Sequence, residues 1–321
     1  MWIFSPIFKS TIWGGDKIGR LKGDVPSISQ IGESWELSGV PGEESVVADG
    51  PDCGLRLSQL IERYGATLTG ERNFQKYGTS FPLLVKIIDA SKDLSIQVHP
   101  DDDLARRRGL PNGKSEMWYV IQAEKNAKLV NGFSRDVERT EYPQLVSGSG
   151  LEDALNNVSI KPGEVYYIPA GRVHAIGAGT LILEIQQASD ATYRIYDYHR
   201  KDATGKEREL HTDLALEAID FKQTRNPGCE SWTPRCDIPV KVVRSPYFAA
   251  NVLEVSYQMM RDFSEIDTFI ILVCISGEAE INCRGERRTI RAGHTVLIEA
   301  DANAIEITPR EKAKFLEVAI I

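Results

Sequence analysis

The chain has 321 residues, of which 42% are hydrophobic and 26% charged, and its formal net charge at pH 7 is −8. This length and composition predict one large or two ordinary globular domains and exclude a disordered chain. Lysine and arginine are dispersed along an acidic chain, with no basic stripe to neutralise a phosphate backbone, so we expect no nucleic-acid partner.

Signals for membranes and export are also missing from the sequence. No apolar run approaches the ~20 residues of a transmembrane helix, and the segment MWIFSPIFKS lacks a charged lead followed by a long apolar stretch. The five cysteines are odd in number and show no CxxC spacing, which argues against a disulfide framework and against a thiolate zinc site. We expect a soluble cytoplasmic protein with no membrane partner.

Short strands dominate the first half of the chain. β-branched and aromatic runs bounded by Gly, Pro and Asp are typical of strands. Such runs occupy residues 81–90, 116–123, 127–133, 164–170 and 180–188. Their spacing predicts an antiparallel barrel or sandwich.

Helices are predicted to be few and short. Apolar side chains recur at helical spacing in residues 57–65, in roughly 138–158 and in the short stretch 211–220. None of these segments carries a candidate functional residue.

The strand pattern restarts near residue 240, after a segment at 221–239 that is rich in Pro, Cys, Asn and charge. We therefore predict two domains, residues 1–235 and residues 236–321. An alignment of Gly163 with Gly293 places Ala304 opposite His174. If the second domain is a repeat of the first, it has lost that histidine.

Four side chains of the first domain can converge on one divalent metal. Gln97 and His99 are two residues apart in QVHP, so on a strand both point to the same face. Glu116 begins the next strong strand, and His174 follows the turn PAG. Three separate segments would deliver these ligands into one barrel interior.

The ligand types indicate a catalytic site. Two imidazoles, one carboxylate and one amide oxygen suit zinc and tolerate manganese, iron, cobalt or nickel. Structural zinc sites mostly use Cys and His, whereas an oxygen-bearing site with room for water favours catalysis. In the alternative interpretation the histidines are ordinary core or loop residues and Glu116 pairs only with Lys114. Only five histidines occur, however, and two of them fall in these segments.

The same segments resemble known signatures. Gly163, Pro169, Gly171 and His174 are spaced as in the second signature of the cupin superfamily, and QVHP with a downstream Glu resembles the first. Six strings over about residues 1–200 sharpen the likeness: WGG (13–15), IGESWELS (31–38), LLVKIIDASKDLSIQVHPDD (83–102), KSEMWYV (114–120), PAGRVHAIG (169–177) and EIQQASDATYRIYDY (184–198). Together they resemble type I mannose-6-phosphate isomerases, also called phosphomannose isomerases.

This resemblance implies a mainly β fold of two cupin, jelly-roll-like barrels with a few short helices. Residues 1–235 would form the metal-binding catalytic domain, and residues 236–321 a degenerate cupin domain without metal ligands. Larger members carry a helical domain between the Glu and the last His, but only residues 117–173 separate them here. The chain therefore resembles the compact bacterial form, and we expect a monomer or a weak homo-oligomer.

The implied activity is that of an aldose–ketose isomerase, an intramolecular oxidoreductase. It would interconvert mannose 6-phosphate and fructose 6-phosphate through an enediol. By the resemblance, Gln97, His99, Glu116 and His174 hold one divalent metal ion, for which zinc is favoured.

Three basic residues match family residues of the pocket: Arg194 matches the active-site arginine, and Lys86 and Lys114 match lysines. All three are candidates both for catalysis and for binding the substrate phosphate, because Arg binds phosphate bidentately and Lys offers a point charge. Arg194 could instead stabilise enediolate charge, and a lysine of lowered pKa could move protons. The sequence leaves the proton-transferring base open.

Two other functions fit part of the pattern. Two histidines and a carboxylate match the facial triad of an iron oxygenase, but Gln97 as a fourth ligand argues against it. A barrel that only senses a sugar phosphate, with a structural metal, is the second alternative. The presence of Lys and Arg beside four metal ligands argues against that one.

Overall fold

The structure is a computed structural model, and it describes residues 1–23, 25–26, 30–148, 150–201 and 205–320. Strands predominate in these residues. In chain order, strands β1 to β20 are Trp2–Ser5, Ile7–Gly15, Ile31–Ser38, Val46–Val47, Leu83–Ala90, Ile96–Val98, Glu116–Ala123, Lys128–Phe133, Leu155–Ser159, Val165–Ile168, His174–Ile176, Thr180–Gln187, Tyr193–Tyr196, Val240–Arg244, Ala249–Val255, Met259–Asp262, Ile270–Cys283, Glu286–Arg291, Thr295–Ile298 and Ala304–Ala319. The five strands predicted between residues 81 and 188 are confirmed.

The helices are short. In chain order, α1 to α7 are Lys17–Lys22, Leu57–Tyr64, Ala66–Thr69, Glu71–Tyr77, Asp102–Arg107, Tyr142–Ser147 and Thr212–Ala218. Helices α2 and α7 confirm the predictions for residues 57–65 and 211–220. No helix of the described ranges is long and apolar enough to cross a lipid bilayer.

The helix predicted over roughly 138–158 is wrong as a continuous element. Helix α6 ends at Ser147, a single 3-10 turn covers Glu152–Ala154, and β9 follows at once; Ser149 lies outside the described residues. The apolar residues that suggested one helix face, such as Leu151 and Leu155, are buried in one cluster. Their spacing reflects burial in this cluster from a turn and a strand, and not a helical period.

The strands form three sheets. A six-stranded sheet has the order β10-β7-β12-β5-β3-β2, a five-stranded sheet has the order β13-β6-β11-β8-β9, and a nine-stranded sheet contains β14 to β20 together with β1 and β4. The mainly β fold is confirmed, but the described strands pair into open sheets and not into closed barrels. The six- and five-stranded sheets face each other as the two layers of a sandwich, because Ile88 and Ile182 of the first lie in one apolar cluster with Leu129 and Ile176 of the second.

The six-stranded sheet lies in the middle of the molecule. Every residue of β5 and β12 is buried. Because side chains alternate along a strand, Leu183 lies in one apolar cluster with Leu316 of the nine-stranded sheet, while its neighbour Ile182 lies in another with Ile176 of the five-stranded sheet. Both faces of the middle sheet are therefore core.

Polar residues interrupt this core where the two smaller sheets face each other. In the six-stranded sheet Glu184 pairs in register with Lys86 on one side and with Trp118 on the other. In the five-stranded sheet Gln97 lies between Arg194 and His174 on the adjacent strands. Two rows of polar side chains are thus brought together inside the sandwich.

The N-terminal strand β1 pairs with β19, so it belongs to the nine-stranded sheet formed largely by C-terminal strands. The alignment of the two halves has a structural counterpart: Gly163 (φ 88°) and Gly293 (φ 82°) both precede a strand in left-handed conformation. His174 and Ala304, which the alignment matches, each begin a strand. The division of the chain at residue 235 stays a prediction.

Candidate metal centre and active site

Four side chains meet between the six- and five-stranded sheets. His99, Glu116 and His174 are each 1% exposed. His99 Nε2 lies 3.0 Å from Glu116 Oε1, and His174 Nε2 lies 3.7 Å from Glu116 Oε2. The amide Nε2 of Gln97 lies 3.3 Å from His174 Nε2. The structure therefore brings together all four residues that the sequence predicts as metal ligands.

Hydrogen bonds fix the orientation of both imidazoles. Nδ1 of His99 donates to the carbonyl of Ala191 at 2.8 Å, and Nδ1 of His174 donates to the carbonyl of Arg172 at 2.8 Å. A carbonyl only accepts, so in the neutral ring Nδ1 carries the proton and Nε2 presents its lone pair to the centre. Burial lowers the pKa of His174, and burial with the charge of Lys114 lowers the pKa of His99 to about 3. Both rings are therefore neutral near pH 7.

The donors fit a divalent cation. His99 Nε2 and Glu116 Oε1 are both acceptors near pH 7, yet they face each other at 3.0 Å, and His99 Nε2 and Glu116 Oε2 are buried without a hydrogen-bond partner. An unsatisfied buried acceptor costs about 1–3 kcal/mol, which a shared cation offsets. Ligand atoms around a tetrahedral zinc, with bonds of about 2.0–2.2 Å, lie about 3.3–3.6 Å apart. The observed spacings of 3.0, 3.3 and 3.7 Å lie close to that range.

Gln97 turns its amide toward the same centre. Its Nε2 donates to the lone pair of His174 Nε2 at 3.3 Å. A half-turn of the amide exchanges nitrogen and oxygen. In that orientation Gln97 would offer an oxygen ligand to a cation.

Glu116 remains ionised in spite of its burial. Burial alone would raise its pKa, but the Lys114 ammonium outweighs burial and holds the pKa well below its usual range. Lys114 Nζ lies 3.1 Å from Glu116 Oε1. The Glu116 carboxylate therefore pairs with Lys114 and lies beside both histidines at the same time.

A cavity of about 330 Å³ opens beside these ligands. Gln97 and Glu116 line it, and so do the three predicted basic residues Lys86, Lys114 and Arg194. Sequence reasoning assigned no role to the six other polar lining residues, which are Glu33, Ser95, Glu184, Asp190, Thr192 and Arg208. The volume lies within the range of small-molecule sites.

Lys86 and Glu184 form a buried ion pair in this cavity, with Lys86 Nζ 3.2 Å from Glu184 Oε1 and 3.7 Å from Glu33 Oε2. Burial opposes the charge of Lys86, but the carboxylates of Glu184 and Glu33 outweigh it and raise its pKa. Burial, with a contribution from Glu116, raises the pKa of Glu184 to about 7. Lys86 therefore stays protonated, while Glu184 exchanges a proton near neutrality.

Arginines form another part of the wall. Arg194 is half-buried, and its guanidinium donates to the carbonyl of Glu209 at 2.8 Å. Arg208 donates to both carboxylate oxygens of Asp197, at 2.7 and 2.6 Å, and Arg200 pairs with the same carboxylate. Burial and the charge of Arg208 lower the pKa of Arg194. With two arginines on one aspartate, positive charge is in excess here.

Two histidines that the sequence left outside the site have other environments. His211 Nδ1 accepts the backbone N–H of Arg194 at 3.1 Å, so it supports the strand that carries this arginine. The side chain of His199 is 78% exposed. Neither ring lines the cavity.

Of the residues that sequence reasoning missed, Glu184 had a signal and Arg208 did not. Glu184 is the one charge in the run TLILEIQQA, and its motif was already part of the family likeness. Arg208 stands in the charged segment KERELH, where nothing separates it from a solvated arginine.

Comparisons with known proteins agree with this geometry. Residues 1–129 match the family model "Phosphomannose isomerase type I, catalytic domain". Mannose-6-phosphate isomerase ManA of Bacillus subtilis is 42% identical over 218 residues, which are 68% of this chain and 67% of that protein. A mannose-6-phosphate isomerase of Streptococcus mutans is 32% identical over 289 residues, 89% of this chain and 88% of that protein. The chain belongs to the type I phosphomannose isomerase family.

Solved structures place the whole chain in this fold. The crystal structure of mannose 6-phosphate isomerase from Bacillus subtilis superposes with a TM-score of 0.88 at 32% identity, over 100% of this chain and 99% of that one. A mutant phosphomannose isomerase from Salmonella typhimurium shares the fold with a TM-score of 0.78 at 16% identity, over 98% of both chains. The prediction of a type I phosphomannose isomerase is confirmed. The individual roles of the site residues stay predictions.

Proposed function

We propose that the chain interconverts mannose 6-phosphate and fructose 6-phosphate, using one divalent metal ion held by Gln97, His99, Glu116 and His174. The observation that carries the proposal is the convergence of these four side chains beside a 330 Å³ cavity, which Gln97 and Glu116 line together with basic side chains. Relatives that share most of the chain's length are named mannose-6-phosphate isomerases.

The reaction moves one proton between adjacent carbons and another between their oxygens, through an enediol. A divalent ion, when bound, supplies a Lewis acid for the carbonyl oxygen, and zinc suits this mixture of nitrogen and oxygen donors. The protein itself must supply a base, a binding site for the phosphate and a pocket that excludes water.

Glu184 is our candidate for the base that moves the carbon-bound proton. A general base works best when its pKa lies near the working pH, and burial raises the pKa of Glu184 to about 7. Lys86 holds the Glu184 carboxylate at 3.2 Å and stays charged. We therefore assign Lys86 to orientation and charge stabilisation, and not to proton abstraction.

Lys114 lies on the metal side of the cavity, with its ammonium 3.1 Å from Glu116 Oε1. A cation fixed in a buried pocket stabilises negative charge that develops on a nearby oxygen. We therefore assign Lys114 to the oxygen end of the enediolate.

We place the substrate phosphate at Arg194 and Arg208. The two lysines of the cavity lie against Glu184 and Glu116, so their charges are largely compensated. Arg194 instead donates to a backbone carbonyl, and Arg208 shares its carboxylate partner with Arg200. Arginine binds phosphate oxygens bidentately.

The proposal is tested by turnover that depends on metal. The purified protein is stripped with a chelator, zinc or manganese is restored, and ketose formation from mannose 6-phosphate is followed. We expect activity to be lost on stripping and recovered on reconstitution. Oxygen consumption would favour the oxygenase, and sugar-phosphate binding without turnover would favour the sensor; both results contradict the proposal.

We further propose a cytoplasmic location. All five cysteines are free thiols in the structure. Unpaired thiols are typical of a reducing compartment, which is where sugar phosphates are metabolised.

A further inference from the structure

We infer that Gln187 is a positioning residue that holds two ligand-bearing segments at the spacing needed for metal binding; the inference rests on the proposed metal site. Gln187 is the last residue of β12 and is 6% exposed. It does not line the cavity, so it acts only through other residues.

The Gln187 amide uses both of its ends to join two separate segments. Its Nε2 donates to Asp102 Oδ1 at 2.9 Å, and its Oε1 accepts the backbone N–H of Ser115 at 2.9 Å. Asp102 follows His99 by three residues, and Ser115 directly precedes Glu116. One side chain therefore connects the histidine and carboxylate segments of the site.

Further bonds extend this connection. Asp102 Oδ1 also accepts the N–H of Gly113 at 2.9 Å. Ser115 Oγ accepts the N–H of Ala170 at 3.1 Å, in the turn that leads to His174. The backbone N–H of Gln187 donates to the Ser115 carbonyl at 3.3 Å. Gln187 and Ser115 together thus connect all three ligand segments.

The chemistry of the two partners requires an amide. A carboxylate such as Asp102 only accepts, and a backbone N–H such as that of Ser115 only donates. A glutamate at position 187 would set one carboxylate against another, and an alanine would leave the Ser115 N–H without its acceptor and Asp102 with one donor fewer. Residues that orient metal ligands typically change metal affinity by 10–100-fold when they are substituted.

The test is a chelator-competition titration of the metal-free protein with Zn²⁺, repeated with Co²⁺ so that its visible spectrum reports ligand geometry. We expect Gln187→Ala to weaken binding by about 10–100-fold and to change the cobalt spectrum. Circular dichroism checks that each variant is folded at the titration temperature.

Asn73→Ala is the matched control. Asn73 is also a buried amide that bridges two segments, donating to the Thr69 carbonyl at 2.9 Å and to Thr268 Oγ1 at 2.8 Å, and it does not line the cavity. Its loss should lower the unfolding temperature and leave metal affinity unchanged. An equal loss of affinity in Asn73→Ala would assign the effect to general stability and overturn the inference.

A polarity exchange provides a second, independent test. Gln187→Glu should weaken binding, because two carboxylates then face each other, and adding Asp102→Asn should recover part of the loss, because an amide again faces a carboxylate although the Gly113 N–H loses its acceptor. This pair also decides the matter if Gln187→Ala does not fold. Unchanged affinity in every Gln187 variant, or failure of the second substitution to recover it, would overturn the inference.

These outcomes are separate from those of the proposed function, because the titration needs no turnover. A wild-type protein that binds Zn²⁺ but does not isomerise the substrate contradicts the proposed reaction and leaves the role of Gln187 standing. A wild-type protein that binds no Zn²⁺ contradicts the metal site itself.

Discussion

His99 Nε2 and Glu116 Oε1 lie 3.0 Å apart although the strands next to them belong to different sheets. His99 follows β6 of the five-stranded sheet, and Glu116 is the first residue of β7 in the six-stranded sheet. The distance between the two layers of the sandwich therefore sets the distance between these ligands. An ion held here would cross-link the layers, so metal binding and folding stability should be coupled.

Metal removal should therefore destabilise the protein. At a metal concentration 100 times the dissociation constant, a ligand that binds only the folded state adds about 2.7 kcal/mol to the free energy of unfolding. Thermal unfolding with and without chelator measures the difference. His174→Ala should lose the metal, so its unfolding temperature should no longer respond to zinc; a response equal to that of the wild type would contradict the assignment of His174.

Arg194→Ala should keep the metal and lose rate. Arg194 is adjacent to Gln97 across the strand pair, but its guanidinium contacts no predicted metal ligand. Loss of a hydrogen bond from a charged group costs about 1.5–3 kcal/mol, or about 10–100-fold in kcat/KM. Steady-state kinetics and metal analysis of the same preparation check this. If rate and substrate affinity both survive, the assignment of Arg194 fails.

Arg208→Gln should raise KM for mannose 6-phosphate by about 10-fold or more, because a charge-assisted contact to the phosphate is lost. Arg200→Gln is the matched control, since Arg200 pairs with the same Asp197 carboxylate but does not line the cavity. Inhibition by inorganic phosphate should weaken in parallel for Arg208→Gln and stay unchanged for Arg200→Gln. Equal effects of the two substitutions would show that Asp197, and not the phosphate, is the relevant partner.

Activity should rise with pH through the pKa of Glu184, because a base works only when it is deprotonated. Burial, with a contribution from Glu116, raises that pKa to about 7 in the metal-free protein. A bound cation offsets the charge of Glu116, so the acid limb of the pH–rate profile should lie at or below about pH 7. Glu184→Gln should remove this limb and lower kcat by about 100-fold or more. A mutant that keeps the wild-type profile would exclude Glu184 as the base.

Sequence alone predicts the strand that carries Glu184, but it does not predict which side chains of that strand face the cavity. The strand was found because the run TLILEIQQA is β-branched and apolar. The strand shows no alternation of apolar and polar residues, because both of its faces are buried. Leu183 packs toward the nine-stranded sheet and Ile182 toward the five-stranded one. Without visible alternation, nothing in the sequence assigned Glu184 to the face of the cavity.

The metal ligands were predictable because they stand in short motifs whose spacing is local. QVHP, the strand start at Glu116 and the PAG turn each fix one ligand relative to its own backbone. The position of Arg208 in the cavity could not be predicted from a local motif. Its place in the cavity results from the pairing of its guanidinium with Asp197, eleven residues earlier in an irregular segment, and no periodicity records such a contact.

The buried pair of Lys22 and Glu36 should be a stability determinant independent of the active site. Lys22 Nζ lies 2.6 Å from Glu36 Oε2 and donates to the Gly293 carbonyl at 2.7 Å, so it ties α1 and β3 to the C-terminal sheet. Lys22→Met leaves an uncompensated buried carboxylate, which costs about 3–5 kcal/mol. Urea unfolding measures this loss, and zinc affinity should not change.

The loss in Lys22→Met should also depend on pH. Burial already raises the pKa of Glu36 while Lys22 lowers it, so removal of Lys22 raises the folded-state pKa further. A carboxyl whose pKa is raised by folding destabilises the protein as pH rises above its unfolded value. The variant should therefore lose more stability at about pH 8 than at about pH 5. Lys22→Met with Glu36→Leu should recover most of the loss, since an apolar pair replaces the ion pair. Arg20→Ala, which removes an exposed ion pair with Asp16 just before the same helix, should change nothing measurable.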